Sequence, residues 1–222
     1  MNALRRSLLA EHREIHRLQR DESHRLFQPY PTTEENRYPG LFDALARRLA
    51  DVPAPRILSF GCSSGEEVRA LRQRLPIASI VGIDLNRLAI AKARAADCNP
   101  LSEYRCDGAP RPGERFDAVL TMAVFRHGTI EGLLPDDCSD ILSFGMFEAG
   151  LNKLDAVLVP GGWLAVYNQH FRLADTELAR RYSVDPFRFG SEHALTLLYG
   201  PDNRRIDGAF KTRALYRKLA DG

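Results

Sequence analysis

The sequence predicts an α/β fold: an open, mostly parallel sheet of about seven strands, helices on both faces, and a C-terminal antiparallel hairpin. Three observations carry this. Short apolar runs alternate five times with stretches of helical spacing. The runs Ile77–Ile83 and Phe116–Met122 are apolar almost throughout, as strands covered on both faces are. Near the end, Gly200-Pro201-Asp202-Asn203 separates two apolar stretches, Ala194–Tyr199 and Ala209–Tyr216, which suits a hairpin turn.

The chain of 222 residues is long enough for one such domain with a sizeable core and short for two. Its apolar and charged fractions, 44% and 27%, are those of an ordinary soluble globular protein. A formal net charge of +2 points to neither a nucleic-acid nor a membrane surface. No apolar run approaches the roughly 20 residues of a membrane span. Met1 to Arg6 is followed by charged residues rather than by an apolar leader, so a cytoplasmic location is expected. Cys62, Cys98, Cys106 and Cys138 show no C-x-x-C spacing. Reduced thiols and no metal site are expected. The chain is expected to be a monomer or a homodimer.

In chain order, residues 1–27 are charge-rich, with Leu4, Leu8, Ile15 and Leu18 at helical spacing. Two prolines in Gln28–Thr33 then break the helix. A second helix is expected from Tyr38 to Ala50, with Leu41, Phe42, Leu45 and Leu49 on one face. Residues 1–52 thus read as an N-terminal helical segment, either a lid or edge packing, and 53–222 as the main domain. Arg56–Phe60 is the first strand, and Glu66 to Leu75 the helix after it. Ile77–Ile83 is the second strand, ending at Asp84, and Asn86 caps a helix to Ala96. Tyr104–Gly108 reads as the end of the third strand, Arg111–Glu114 as a turn, and Phe116–Met122 as the fourth strand. A loop from Thr129 to Asp137 precedes a long helix to Leu158. Val159–Gly162 breaks that helix, and Trp163–Tyr167 is the fifth strand. A short helix, Thr176–Arg181, and a Ser183–Gly190 loop precede the hairpin.

The connection Gly61-Cys62-Ser63-Ser64-Gly65 joins the first strand to a helix. Glycine there lets a backbone approach a ligand closely, and the helix offers unpaired N–H groups. Such a turn suits a nucleotide-type cofactor. It lacks the third glycine of G-x-G-x-x-G that a dinucleotide's pyrophosphate requires, and it is not a P-loop.

These residues, with three companions in order, resemble a class I methyltransferase dependent on S-adenosylmethionine. The resemblance covers residues 56 to 170. Leu58–Gly65 is similar to the family's first motif, and Asp84 stands about 20 residues on, where an acid accepts from ribose hydroxyls. Phe116–Leu120 is similar to the family's fourth strand. Leu158-Val159-Pro160-Gly161-Gly162-Trp163-Leu164 is similar to the turn into its fifth. The resemblance implies a Rossmann-like domain with S-adenosylmethionine as cofactor. The implied contacts are Gly61, Cys62, Ser63, Gly65, Asp84, Leu85, Asp107, Gly108, Met122 and Ala123. Asp107 would face the adenine amino group. Met122, Ala123 and Val124 would wall the ligand, although apolar residues equally suit a core. Many family members carry an acid where this chain has Ser59. Gly61 to Glu67 resembles instead the first motif of chemotaxis-receptor glutamate methyltransferases, in which an acid after the last glycine helps hold the cofactor's amino end. That implies Glu66, which with Glu67 also suits the helix dipole.

The implied reaction moves a methyl group to an oxygen, nitrogen or carboxylate on a small molecule, glycan or peptide. His127, at the end of Val124-Phe125-Arg126-His127, is the first candidate base and His170, after the fifth strand, the second. Each equally suits a structural role. Arg126, Asn168 and Tyr38 are candidates for the acceptor side. Two other classes remain open: a catalytically silent partner protein that binds S-adenosylmethionine, and a nicotinamide-dependent oxidoreductase.

Overall fold

The computed structural model describes residues 3–189, 197–208 and 213–220, with side chains from residue 8 onward. The strands are β1 (Arg56–Phe60), β2 (Ser79–Ile83), β3 (Ser102–Arg105), β4 (Phe116–Met122), β5 (Leu158–Tyr167), β6 (Tyr182–Val184) and β7 (Leu215–Lys218). They form one sheet in the order β3-β2-β1-β4-β5-β7-β6. The first five are parallel, and β7 runs antiparallel to both β5 and β6. The helices are α1 (Ala3–Asp21), α2 (Pro39–Arg48), α3 (Glu66–Arg74), α4 (Arg87–Ala96), α5 (Gly128–Leu133) and α6 (Phe144–Val157).

Alternation along each strand sends neighbouring side chains to opposite faces. Ile57 packs with Leu41, Leu45, Val68, Leu71 and Ile90, on the face covered by α2, α3 and α4. Leu58 packs with Phe147, Leu151 and Leu154 of α6 on the other. Both faces are therefore buried, which is why β2 and β4 read as continuous apolar runs. Caps fix the helix starts: Asn86 Oδ1 accepts from Ala89 N–H at 3.0 Å, and Ser143 Oγ accepts from Met146 N–H at 3.2 Å.

The antiparallel pair lies elsewhere than the sequence suggested. Its first strand, β6, overlaps the start of the stretch expected to be a loop, and β7 begins at the end of the last apolar run. The Gly200–Asn203 turn forms, with Gly200 N–H donating to Arg204 O at 2.8 Å, but it closes a Tyr199–Arg205 bridge outside the sheet. Residues 194–196 and 209–212 of the expected hairpin lie outside the described residues. What holds β6 and β7 is a buried charge cluster. Asp155 of α6 accepts from Tyr182 Oη at 2.8 Å and pairs with Arg181 at 2.7 Å and Lys218 at 3.0 Å. The expected helix 176–181 is a 3-10 turn, and the loop after Thr129 contains α5.

Strand order reverses between β1 and β4, so the connections after these two strands diverge and leave a crevice at their carboxyl ends. Among the described residues no helix is long and apolar enough to cross a membrane.

Candidate cofactor and active site

The crevice is a cavity of about 350 Å³, the size of a small-ligand site. The loop after β1 forms one side. Gly61 has φ +74°, and a Cβ there would lie 2.4 Å from Val124 Cγ2. Gly65 has φ +86°, and a Cβ there would lie 2.9 Å from the Tyr104 ring. Ser63, Ala123 and Asn168 are not glycine, yet have φ of 49°, 59° and 59°. They stand just beyond β1, β4 and β5. Left-handed backbone at such residues costs roughly 1–2 kcal/mol each and collects at functional edges. Two of them are held by bonds to neighbouring connections. Ser63 N–H donates to Asp84 Oδ2 at 2.9 Å, and Ala123 N–H to Tyr167 O at 2.9 Å.

Asp84 thus ties the glycine loop to the β2 exit, and its other oxygen accepts from Asn86 N–H at 2.8 Å. Burial raises its pKa against the pull of these two bonds. Each carboxylate oxygen keeps a second lone pair, so the group can still accept from a ligand hydroxyl. Asp107 and Gly108 close the β3 side, where Asp107 lies 3.7 Å from Arg111 and 3.9 Å from Arg105.

The N-terminal segment forms the roof. Leu18, Phe27, Pro29, Tyr30, Pro31 and Thr32 line the cavity. Arg17 Nη2 donates to Leu85 O at 3.1 Å, and Glu14 accepts from Arg87 N–H at 3.0 Å. Gln28 Nε2 donates to Arg126 O at 2.7 Å. Phe27 stacks edge-on against Phe125 with centroids 4.7 Å apart.

Ten of the residues expected at the site line this cavity: Gly61, Ser63, Asp84, Leu85, Asp107, Gly108, Met122, Ala123, Val124 and Arg126. The others stand off it. Cys62 lies behind the loop, its thiol pushed up by burial. Glu66 turns to Ser64 Oγ at 2.8 Å and Arg69 at 3.6 Å. Arg126 is gripped by the Glu131 carboxylate and donates to Asn168 Oδ1 at 2.9 Å, and Asn168 Nδ2 lies 3.5 Å from Tyr38 Oη. Asn168 and Tyr38 therefore brace Arg126 from behind. With its charge offset by Glu131, Arg126 is a poor anion receptor.

The two histidines also stand off the cavity. His127 Nδ1 accepts from Thr129 N–H at 3.2 Å and so caps α5. Burial, with His170 beside it, lowers its pKa to about 4. Its ring is neutral, with one lone pair occupied and the other nitrogen protonated. His170 is fully buried. Its Nδ1 lies 3.0 Å from Leu197 O and its Nε2 3.4 Å from His127 O, and burial lowers its pKa against these contacts.

Sequence reasoning missed Glu131 on the cavity wall, and it left open whether the N-terminal segment was a lid, with Gln28–Thr33 read only as a break after the helix; Arg37 also lines the cavity, beside the Tyr38 ring. It also passed over Glu67, whose Oε1 accepts from Ser59 Oγ at 2.7 Å. No cluster of three or more metal-ligating side chains occurs among the described residues.

Residues 58–164 match the family model of a methyltransferase domain. The ribosomal RNA small subunit methyltransferase C of Hahella chejuensis is 33% identical over 145 residues, covering 60% of this chain and 39% of that protein. The ubiquinone biosynthesis O-methyltransferase of Rhodopseudomonas palustris is 33% identical over 118 residues, 50% of this chain and 46% of that protein. The chain spans less than half the length of these curated relatives. Among solved structures, the N-methyltransferase NodS from Bradyrhizobium japonicum shares the fold, with a TM-score of 0.50 and 15% identity, covering 83% of this chain and 99% of that one.

Proposed function

We propose, for a chain whose residues 58–164 are a class I methyltransferase domain dependent on S-adenosylmethionine, that it transfers the methyl group to an oxygen, nitrogen or carboxylate of a small molecule, glycan or peptide. The observation that carries this reading is the convergence of Gly61, Ser63, Asp84, Asp107 and Gly108 on one cavity at the β1/β4 divergence. They come from three separate connections, which parallel strand order brings to one edge. The net charge of +2 favours a small acceptor over RNA, which the name of one relative mentions.

The cavity fits the cofactor. A Cβ at Gly61 would run into the Val124 side chain on the cavity wall, so glycine lets the loop close up there, and the free lone pairs of Asp84 suit a ribose diol. Asp107 would accept from the adenine amino group, with Met122 and Ala123 against the ligand. Arg37, half-buried on the wall, would receive the cofactor's carboxylate. The cofactor supplies an electrophilic methyl group on a sulfonium. The chain has to align an acceptor with it and keep water out, and the roof of residues 25–32 serves the second need as a lid. The main domain then begins near residue 53.

Neither histidine offers a lone pair to the cavity, which favours an acceptor that needs no strong base, such as a carboxylate or an acidic hydroxyl. The same observation favours, as a second reading, a partner protein that binds the cofactor without turnover. Thermal shifts with S-adenosylmethionine, S-adenosylhomocysteine and NAD test the cofactor. The first two are expected to raise the transition and NAD to leave it, and Asp84→Ala to abolish the rise. A shift with NAD alone, or an unchanged rise in Asp84→Ala, overturns the reading.

A further inference from the structure

The crossover from β3 to β4 contains no helix. Residues 24–27 cover the sheet there instead, and a second cavity of about 360 Å³ remains between them and α6. It shares Arg25, Phe27, Phe60 and Gly108 with the first cavity, so the two adjoin through a common wall. Phe60 immediately precedes Gly61, which places that wall beside the glycine loop.

The second cavity has its own chemistry. Phe27, Phe60 and Met146 make an apolar floor. The α6 side is smooth because Gly145, Ala149 and Gly150 fall on it. Packing explains Gly150, where a Cβ would lie 2.9 Å from the Phe27 ring. It does not explain Gly145, where a Cβ would meet nothing closer than Ser143 Oγ at 4.0 Å. No aspartate or glutamate lines this cavity, and its charged side chains are basic. Arg25 is paired with Glu22 at 2.6 Å, whereas Lys153 is exposed and has no ion-pair partner among the described residues. An apolar basin with an uncompensated ammonium on its rim selects an organic anion over a neutral or cationic ligand of the same shape.

We propose that the second cavity is the acceptor subsite and takes an aryl or alkyl carboxylate. Its apolar body lies on Phe27 and Phe60, its carboxylate reaches Lys153, and its nucleophilic atom reaches the first cavity across the shared wall. This rests on the methyltransferase reading and names the acceptor class. In the transfer, a lone pair of the acceptor oxygen or nitrogen forms the new bond to the methyl carbon. The carbon–sulfur bond breaks with its pair going to sulfur, a neutral thioether leaves, and any acceptor proton passes to water.

The test uses the full chain saturated with S-adenosylhomocysteine and titrated with the fluorescent anion anilinonaphthalene sulfonate. The probe is expected to bind one site and to be displaced by decanoate but not by decyltrimethylammonium. Ala149→Phe, at an exposed helix position, fills the basin and should weaken the probe by tenfold or more, on the order of a lost apolar contact surface. Lys153→Glu should weaken it by about fivefold. Affinity for S-adenosylhomocysteine should change less than about twofold in both variants, since neither touches the first cavity. Displacement by the cation as readily as by decanoate, competition with S-adenosylhomocysteine, or parental probe affinity in both variants overturns the proposal.

A labelled methyl donor, offered with hydroxylated and aminated aryl and alkyl carboxylates and with their amides, gives the second arm. Transfer to the carboxylates, with KM raised in Ala149→Phe, supports it, while transfer to the amides alone or to neither set overturns it. Absence of S-adenosylhomocysteine binding in the parent chain would overturn the cofactor reading instead, and is measured separately from the probe.

Discussion

Replacing Glu67 with glutamine isolates the electrostatics beneath the glycine loop. The Glu67 carboxyl receives a hydrogen bond from Ser59 Oγ at 2.7 Å, yet burial pushes its pKa from 4.5 to about 7. The folded chain therefore holds this proton more tightly than the unfolded chain. Below the unfolded pKa the group is neutral in both states and costs nothing. As pH rises from 4.5 to about 7 the unfolded carboxyl ionises first, and stability falls across that window. A displacement of this size is worth about 3 kcal/mol, which partial exposure reduces to about 1–2 kcal/mol. Glutamine keeps an acceptor for Ser59 and carries no charge. In urea denaturation of the ligand-free chain, Glu67→Gln should exceed the parent by about 1–2 kcal/mol at about pH 8 and match it at about pH 4. An equal difference at both pH values, or a less stable variant at the higher one, would refute burial as the cause.

Three further substitutions have expected outcomes. His127→Asn keeps a cap for α5, so methyl transfer should stay within about tenfold of the parent in a steady-state assay, whereas a loss of about a hundredfold or more would restore His127 as the base. In the same variant the fall in stability as pH drops from 6.5 to about 4 should be smaller than in the parent, because the unfolded His127 is protonated in that window and the folded one is not, while His170, whose pKa burial also lowers, still contributes. Asp155→Asn breaks the charge cluster under β6 and β7 and should cost about 3 kcal/mol in chemical denaturation, and a cost below about 1 kcal/mol would show that the cluster is not what ties these strands to α6. Gly61→Ala meets both the Val124 contact and a φ of +74°, so its cofactor affinity should fall by about tenfold or more. Adding Val124→Ala should restore only part of it, as isothermal titration would show, because the second change relieves the contact and leaves the backbone strain.

What the sequence disclosed about the site was local. Gly61, Ser63, Asp84, Asp107 and Met122 lie at the ends of predicted strands, and parallel order alone brings such ends to one edge. The choice between lid and edge packing for the N-terminal segment stayed open because nothing in Gln28–Thr33 says where an extended segment will lie. Its place is set by Phe27 stacking on Phe125, nearly a hundred residues away, and by Gln28 reaching Arg126 O. Glu66 and Glu67 show a finer limit. Neighbours on a helix point about 100° apart, so which one faces β1 depends on the helix phase. Here it is Glu67 that meets Ser59, while Glu66 faces Arg69. β6 is three residues long, too short for a period-two pattern to register, and its position follows from Tyr182 finding Asp155.

The histidines carry the argument furthest. Spacing placed both near the carboxyl edge, which is where they are, but a base requires a lone pair as well as a location. Thr129 N–H takes that of His127 Nδ1, and His170 is enclosed by the carbonyls of Leu197 and His127. The other acid on the wall beyond Asp84 and Asp107 is Glu131, and both its oxygens are held by Arg126. Every titratable group at the β4 exit is thus already engaged with its neighbours. Such an arrangement holds shape rather than moving protons. It fixes Arg126, Asn168 and Tyr38 as one braced wall opposite the glycine loop, and it suits a displacement in which alignment and exclusion of water supply the rate. Acceptors that ionise near neutral pH should therefore outperform isosteres that need deprotonation, and a series of substituted phenols of graded acidity would resolve the dependence as a slope of log kcat against acceptor pKa.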